Sequence, residues 1–447
     1  MELKDKRVTV IGYGKTGEAC IKTLIKLGAK VKLSEKKREL NLPDGIEVEL
    51  GGHTEEFVLD SDLIILSPGV RWDEPVLEKA RSKGIEVISE IELAYRLTDV
   101  PIIAITGTNG KTTTTSLTAH ILSTEKDVKL VGNIGIPFIG EVLDSKPEYF
   151  VLEVSSFQLQ GTKLFRPKIG VLLNIASDHL NWHNSMEDYI EAKKKLFINQ
   201  REEDILIYNR DDRNVVEAVA IARSRRISFS FNNDSDIYTD GNHIRFKYPE
   251  FSEISIPLKG IRLTGRHNLA NIMCASMIGL LCGISLENLV GAIESFTPYP
   301  HTLERFLECD GLTFIDDSKA TNPHATISAL RSIPDNKVII MGGQDKGMNF
   351  EELVDELKGS NVRHICLIGE TKVKLEELFL RNGIRNFSVH NSLEEAVMTA
   401  IDSAQKGDYI LFSPACASFD MFKNYADRGE KFKEIVYKWK DSRDNKV

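Results

Sequence analysis

The chain has 447 residues, 42% apolar and 28% charged, an ordinary balance for a globular protein and a length that predicts about three domains rather than one core. A net charge of −9 with no basic block argues against nucleic acid as the main partner, yet leaves room for anionic small substrates, which need only local cations. No apolar run approaches the roughly 20 residues that span a bilayer, and Met1–Asp5 lacks a signal-peptide pattern, so no membrane association and a cytoplasmic location are expected.

Residues Arg7–Leu33 read as a strand (Val8–Ile11), the turn Gly12-Tyr13-Gly14-Lys15-Thr16-Gly17, a helix ending at Gly28 and a second strand. Glu35 follows about twenty residues after the glycines, the place for an acid on a ribose hydroxyl. Alone, this fingerprint would favour a nicotinamide dehydrogenase. Backbone N–H groups at a helix N-terminus accept any phosphate, so a nucleotide sugar fits equally, and a structural βαβ turn is the plainer alternative. Leu63–Leu66 followed by Ser67-Pro68-Gly69 extends the doubly wound pattern.

Thr98-Asp99-Val100-Pro101 reads as a linker, and P-I-I-A-I-T-G-T-N-G-K-T-T-T-T (101–115) follows at once. An apolar strand, Ile102–Ile105, enters a Gly-rich turn, and Gly110-Lys111-Thr112 opens a helix. Gly107 and Gly110 let backbone N–H groups face one anion, Lys111 reaches outer phosphates, and the Thr112 hydroxyl suits magnesium. A strict phosphate-loop pattern wants glycine where Ile105 stands, so the reading rests on strand, turn, Lys-Thr and helix together; a surface turn with a solvated lysine is the alternative.

Strands Val128–Val131, Tyr149–Val154 and Ile169–Ile175 end in Gly132-Asn133, Ser155-Ser156 and Ser177-Asp178-His179, polar ends expected to converge near the turn. Glu153 interrupts an apolar strand, where a carboxylate needs a metal or a salt-bridge partner. His179 is either structural or a ligand. Tyr189–Phe197 reads as a helix whose three lysines, 193 to 195, form a solvated face by periodicity. Residues 227–256 read as a β-rich insertion. The helix opening at Gly265-Arg266-His267-Asn268-Leu269-Ala270-Asn271 carries asparagines that are helix caps or ligands.

Phe296-Thr297-Pro298-Tyr299-Pro300 is the second linker, which gives domains at 1–97, 98–298 and 299–447. Beyond it, strands Leu312–Ile315, Val338–Met341, His364–Ile368 and Tyr409–Phe412 end in polar residues, predicting a third, parallel α/β domain with a binding rim. Six cysteines (20, 274, 282, 309, 366, 416) lack any C-x-x-C pair and are expected to be reduced packing residues.

G-T-N-G-K-T-T (107–113), G-N-I-G (132–135), L-E-V-S-S-F-Q-L (152–159), S-D-H-L (177–180), G-R-H-N-L-A-N (265–271), D-D-S-K-A-T-N (316–322) and S-P-A-C-A-S-F-D (413–420) together resemble the Mur ligases from end to end. D-S-K-A-T-N and S-P-A-C-A-S-x-D resemble the member that adds D-glutamate to UDP-N-acetylmuramoyl-L-alanine. The resemblance implies an α/β fold of three domains: N-terminal Rossmann-like, a central ATPase-type domain with a mostly parallel sheet, and C-terminal Rossmann-like. It implies an ATP-dependent amide ligase of peptidoglycan precursor synthesis, using ATP and Mg2+ with two ions, acting on small molecules as a monomer. The implied ATP site is Gly107, Thr108, Asn109, Gly110, Lys111, Thr112, Thr113, Asn271, Arg305 and Asp317, with Arg305 displaced from the family's arginine position. Thr112, Glu153, His179 and Lys193 are implied metal ligands, Lys193 after carbamylation, with Lys111, His179 and Lys193 the catalytic set. Lys15, Thr16, Glu35, Gly69, Asn133 and Ser155 are implied contacts to the UDP substrate, the uridine-side acid falling at Glu35 or the adjacent Ser34. Lys319, Thr321, Lys346, Ser418, Phe419 and Tyr425 are implied contacts to D-glutamate.

Overall fold

The computed structural model describes residues 1–40, 46–178, 182–261, 263, 265–297, 300–333 and 335–444. His179 and positions 298–299 of the second linker therefore lie outside the described residues. Three separate sheets account for the strands, each interleaved with helices as the strand–helix alternation predicts.

The first sheet joins β1 (Arg7–Ile11), β2 (Lys30–Glu35), β3 (Glu47–Leu50), β4 (Leu63–Leu66) and β5 (Glu86–Ser89) in the order β3-β2-β1-β4-β5, all parallel. The inner strands V-T-V-I and L-I-I-L are wholly buried because helices cover both faces of a parallel sheet. The helix Lys15–Lys26 turns Cys20, Ile21 and Leu24 inward and ends where Gly28 takes φ +74°.

The second sheet holds β6 (Ile102–Thr106), β7 (Val128–Gly132), β8 (Tyr149–Glu153), β9 (Ile169–Leu172), β10 (Ile205–Asn209), β11 (Arg225–Phe229), β12 (Ile237–Thr239), β13 (His243–Phe246) and β14 (Ser255–Pro257). The order is β14-β13-β12-β11-β10-β9-β6-β8-β7, with only β13 and β14 antiparallel to their neighbours. The β-rich insertion thus extends one edge of this sheet. β6 sits between β8 and β9, so the Gly-rich turn leaves the sheet where the chain's crossovers change direction.

The third sheet holds β15 (Glu304–Cys309), β16 (Leu312–Asp316), β17 (Lys337–Gly342), β18 (Val362–Ile368), β19 (Phe387–Val389) and β20 (Tyr409–Phe412). Its order is β15-β16-β20-β17-β18-β19, parallel except for β15, an edge strand the polar sequence E-R-F-L-E-C did not announce. The chain divides into two compact units: 1–175, 182–261 and 270–296 in one, 176–181, 262–269 and 297–447 in the other. The first and second sheets fall in one unit and share a continuous apolar core running from Leu3 and Val8 to Leu206 and Val219.

Two acids fasten that junction. Glu92, fully buried, accepts the backbone N–H groups of Lys163, Leu164 and Phe165 at 2.8 to 3.0 Å and the Arg96 guanidinium at 2.7 Å. Glu90 accepts the Ile139 N–H at 2.7 Å, and burial raises its pKa to about 7. The cysteines are free, and all but the partly buried Cys309 are buried, as expected of packing residues. Among the described residues, no helix is long and apolar enough to cross a membrane.

Candidate functional site

The turn after β6 is shaped by its glycines. Gly110 has φ +83°, and a Cβ there would lie 2.5 Å from Asn271 Oδ1; at Gly107 it would lie 2.9 Å from the Leu173 side chain. Only glycine fits such positions, so the backbone itself lines the cradle. Asn174 clamps the loop, accepting the Asn109 N–H at 2.8 Å and donating to the Asn109 carbonyl at 3.0 Å. Lys111 Nζ curls over it, donating to the Gly107 and Thr108 carbonyls at 2.8 and 2.7 Å. Thr112 and Thr113 are buried in the first turn of the helix Lys111–Leu122, whose four consecutive threonines are poor helix formers held there by packing. Thr108 Oγ1 lies 3.0 Å from Tyr189 Oη. Asn271 is no helix cap: it stands inside the helix Arg266–Leu281 and accepts the Thr114 hydroxyl at 3.0 Å.

Glu153 ends β8, directly beside Ile105 of β6. It is 1% exposed; Oε1 accepts Asn133 Nδ2 at 2.7 Å, while Oε2 is buried with no hydrogen-bond partner. The salt-bridge alternative has no counterpart, since no ion pair to Glu153 occurs among the described residues, and an orphaned carboxylate oxygen in a dry site fits a hard cation. The solvated lysine face is overturned. The helix runs Met186–Lys194 from its Ser185 cap, Lys193 is 1% exposed with Nζ 4.6 Å from the Tyr189 ring centroid, and Lys194 and Lys195 are half-buried. Long aliphatic stems let lysines pack where polarity counting puts them in water.

At the first sheet, Lys15 and Thr16 stand exposed and half-exposed in the opening turn of their helix. Glu35 is committed to the chain itself, accepting the Tyr13 N–H at 2.6 Å and the Lys37 N–H at 3.0 Å, which ties the glycine turn to the end of β2. Ser34 is fully buried, donating to Glu49 at 2.7 Å and facing His53 Nδ1 at 2.7 Å. Gly69 is exposed with open space where a side chain would begin. Ser155 caps the helix Ser156–Gln160 through a reciprocal box with Gln158.

In the other unit, the loops after β16 and β20 carry Asp317, Lys319, Thr321, Ser418 and Phe419. Asp317 accepts Ser413 Oγ at 2.7 Å and the Leu303 N–H at 3.1 Å, yet burial still lifts its pKa to about 7. Lys319 Nζ lies 5.9 Å from the Tyr425 ring centroid; Ser418 is buried and Phe419 is 65% exposed, an unusual display for a phenylalanine. Lys346 is half-exposed in the loop after β17. Arg305, on β15, is about half exposed and pairs with Glu308 at 2.6 Å. Left-handed backbone at His301, Leu303 and Ala415 (φ 64°, 44° and 60°) marks strain gathered in these loops. His301, Glu304 and Asp316 converge within metal-ligand distance of one another, but Lys433 Nζ, 2.7 Å from Glu304 and 3.8 Å from Asp316, already supplies their positive charge.

Three residues escaped the sequence reading: Asn174, Tyr189 as a loop contact, and Arg428. Asn174 fell inside the strand read as Ile169–Ile175; that strand ends at Leu172, which frees Asn174 to face the loop. The other two lie within helices and carry no local signal.

Comparison with known proteins agrees along the whole chain. The Mur ligase MurD-like N-terminal domain matches residues 6–89, the Mur ligase middle domain 105–279, and the Mur ligase glutamate ligase domain 303–416. UDP-N-acetylmuramoylalanine–D-glutamate ligase of Alkaliphilus metalliredigens is 41% identical over 98% of this chain and 99% of its own, and the enzyme of that name from Clostridioides difficile is 40% identical over the same shares. Among solved structures, MurF ligase from Thermotoga maritima in complex with ADP has a TM-score of 0.63 at 19% identity, covering 99% of this chain and 96% of that one. The Thermotoga maritima UDP-N-acetylmuramate-alanine ligase scores 0.60 at 18% identity, covering 98% and 100%, a likeness of fold.

Proposed function

Because the chain belongs to the Mur ligase family, we infer that it is an ATP-dependent amide ligase that adds D-glutamate to UDP-N-acetylmuramoyl-L-alanine in peptidoglycan precursor synthesis. A carboxylate does not condense with an amine at neutral pH, so the L-alanyl carboxylate is first phosphorylated by ATP. The acyl phosphate formed is attacked by the free amine of D-glutamate, the C–N bond forms, and phosphate leaves with the former carboxylate oxygen. The glycine-built loop 107–110 and the N–H groups opening the next helix hold the phosphates. Lys111, already poised over that loop, neutralises charge on the transferring phosphoryl group.

The observation that carries this reading is the orphaned Glu153 Oε2 next to the loop. With Thr112 it would supply oxygen donors to a magnesium ion. When bound, the metal supplies Lewis-acid stabilisation of phosphate charge. Two ions, the second held by His179 and a carbamylated Lys193, complete the proposed site. Lys193 is buried against the Tyr189 ring; addition of CO2 to its neutral amine, with loss of one proton, would turn it into a carboxylate-like ligand. Intact mass with and without bicarbonate checks this through a CO2-sized increment.

Asn271, Arg305 and Asp317 are proposed contacts to the nucleoside of ATP. Lys15, Thr16, Glu35, Gly69, Asn133 and Ser155 are proposed for the UDP substrate, and Lys319, Thr321, Lys346, Ser418, Phe419 and Tyr425 for D-glutamate, whose two carboxylates call for cations and hydroxyl donors. The proposed domain limits are 1–97, 98–298 and 299–447, in a cytoplasmic monomer. The deciding experiment follows phosphate release with ATP and magnesium. Release must require UDP-N-acetylmuramoyl-L-alanine and D-glutamate together and fail with L-glutamate; release with L-glutamate alone would point to another acceptor.

A further inference from the structure

Arg428 is the fourth residue of the helix Tyr425–Asp444 and is only 1% exposed. Its guanidinium donates to two loops at once: Nε to Ser318 Oγ at 3.0 Å, Nη2 to the Ser318 carbonyl at 2.7 Å, and Nη1 to the Cys416 and Ala417 carbonyls at 3.0 and 3.2 Å. Ser318 Oγ in turn donates to the Tyr425 carbonyl at 2.8 Å, closing a ring back to the helix. β16 and β20 are adjacent and parallel, so the loops leaving them lie side by side. The residues gripped are the immediate chain neighbours of Lys319 and Ser418, and Tyr425 itself.

A buried cation whose hydrogen-bond partners are carbonyls and a hydroxyl is an expensive way to stabilise a fold, since an apolar side chain of like volume would serve. The planar fork does what an apolar group could not: it fixes the distance between two loops along four directions. Burial lowers its pKa to about 10, so the charge persists at neutral pH.

We propose that Arg428 is a positioning residue for the amino-acid substrate, fixing Lys319 relative to Ser418 and keeping a permanent positive charge behind loops that receive a dicarboxylate. This rests on the assignment of D-glutamate to those loops. Arg428 acts through the backbone it clamps, without touching the substrate.

The test uses Arg428→Lys and Arg428→Met in the full chain, with each of the three substrates varied in turn. KM for D-glutamate rises about tenfold in Arg428→Met and less in Arg428→Lys, while KM for ATP and for the UDP substrate stays within about twofold. Selectivity for D- over L-glutamate falls alongside. Should Arg428→Met not fold, Ser318→Ala loosens the same ring with little change of volume and shifts KM in the same direction. An unchanged D-glutamate KM in folded variants, or equal rises for all three substrates, overturns the proposal. Lys319→Ala separates the two levels. If it leaves the D-glutamate KM unchanged, the assignment of the loops fails; if it raises that KM while the Arg428 and Ser318 variants do not, the positioning role alone fails.

Discussion

The loop proposed for phosphate in one unit and the loops proposed for the amino acid in the other both leave the carboxyl ends of parallel strands, but they are made differently. The first is backbone: glycines admit close approach, Asn174 pins the loop through its main chain, and one carboxylate oxygen, Glu153 Oε2, is left without a partner. The second is side chain: Ser413 donates to Asp317, and Arg428 and Ser318 close a ring with the Tyr425 carbonyl, before any substrate arrives. A phosphate chain presents much the same surface in every nucleotide, and repeated N–H groups suffice. An amino acid must be told from its mirror image, which asks for side chains fixed at several points.

The contrast should collapse first at Lys111. Lys111→Ala is expected to lower the rate of ADP formation by about 10³-fold or more, because its ammonium stands over the loop where the phosphates would sit. Full activity in that variant would remove the phosphate loop from the chemistry. At Glu153 the two readouts should move in opposite directions. Glu153→Gln relieves an uncompensated buried oxygen, so thermal unfolding should show a gain of about 1 kcal/mol or less in the metal-free protein, while magnesium-dependent turnover falls by about 10². A loss of stability instead would mean the carboxylate is compensated as it stands.

Asp317 offers a pH handle on the other network. Its folded-state pKa of about 7 lies above the ordinary value of 3.8, so its contribution to stability is present at low pH and is lost as pH climbs through 7. Melting temperatures of the wild type relative to Asp317→Asn should therefore decline between about pH 4 and about pH 8; a flat difference would show the carboxyl to be ionised throughout. The mildest effect belongs to Arg305→Ala. Its exposed pairing with Glu308 is worth less than about 1 kcal/mol, so stability should hold while KM for ATP rises severalfold. An unchanged KM would withdraw Arg305 from the nucleotide site.

Legibility in the sequence followed the same divide. The phosphate loop could be read because its parts are contiguous: strand, glycines, Lys111-Thr112 and helix within fifteen residues. The Arg428 network could not, because Ser318 lies 110 positions from the arginine that grips it, while Cys416 and Ala417 offer only backbone carbonyls, which no sequence pattern marks. Periodicity misjudged Lys193 because a lysine's polarity says nothing about the aromatic wall formed by Tyr189 four residues earlier. Asn271 looked like a cap because asparagine favours helix starts; its tertiary partner, Thr114, is 157 positions away. Edge strands β3 and β15 were passed over because each carries charged residues through its length and lacks the apolar run that announced the buried ones.

The pair of acids at 90 and 92 bears on how this protein could be taken apart. Both belong by sequence to the first ninety-seven residues, but the amides they hold, at Ile139 and Lys163–Phe165, lie beyond that cut. An excised N-terminal fragment would lose every one of those amide donors, leaving Glu92 only its Arg96 partner, and would open half of a shared apolar core to water. The span between the glycine turn at 12–17 and the loop at 107–110 is in that sense a fixed gauge, cast in one piece, and dissection at the linker would break the casting instead of freeing a part.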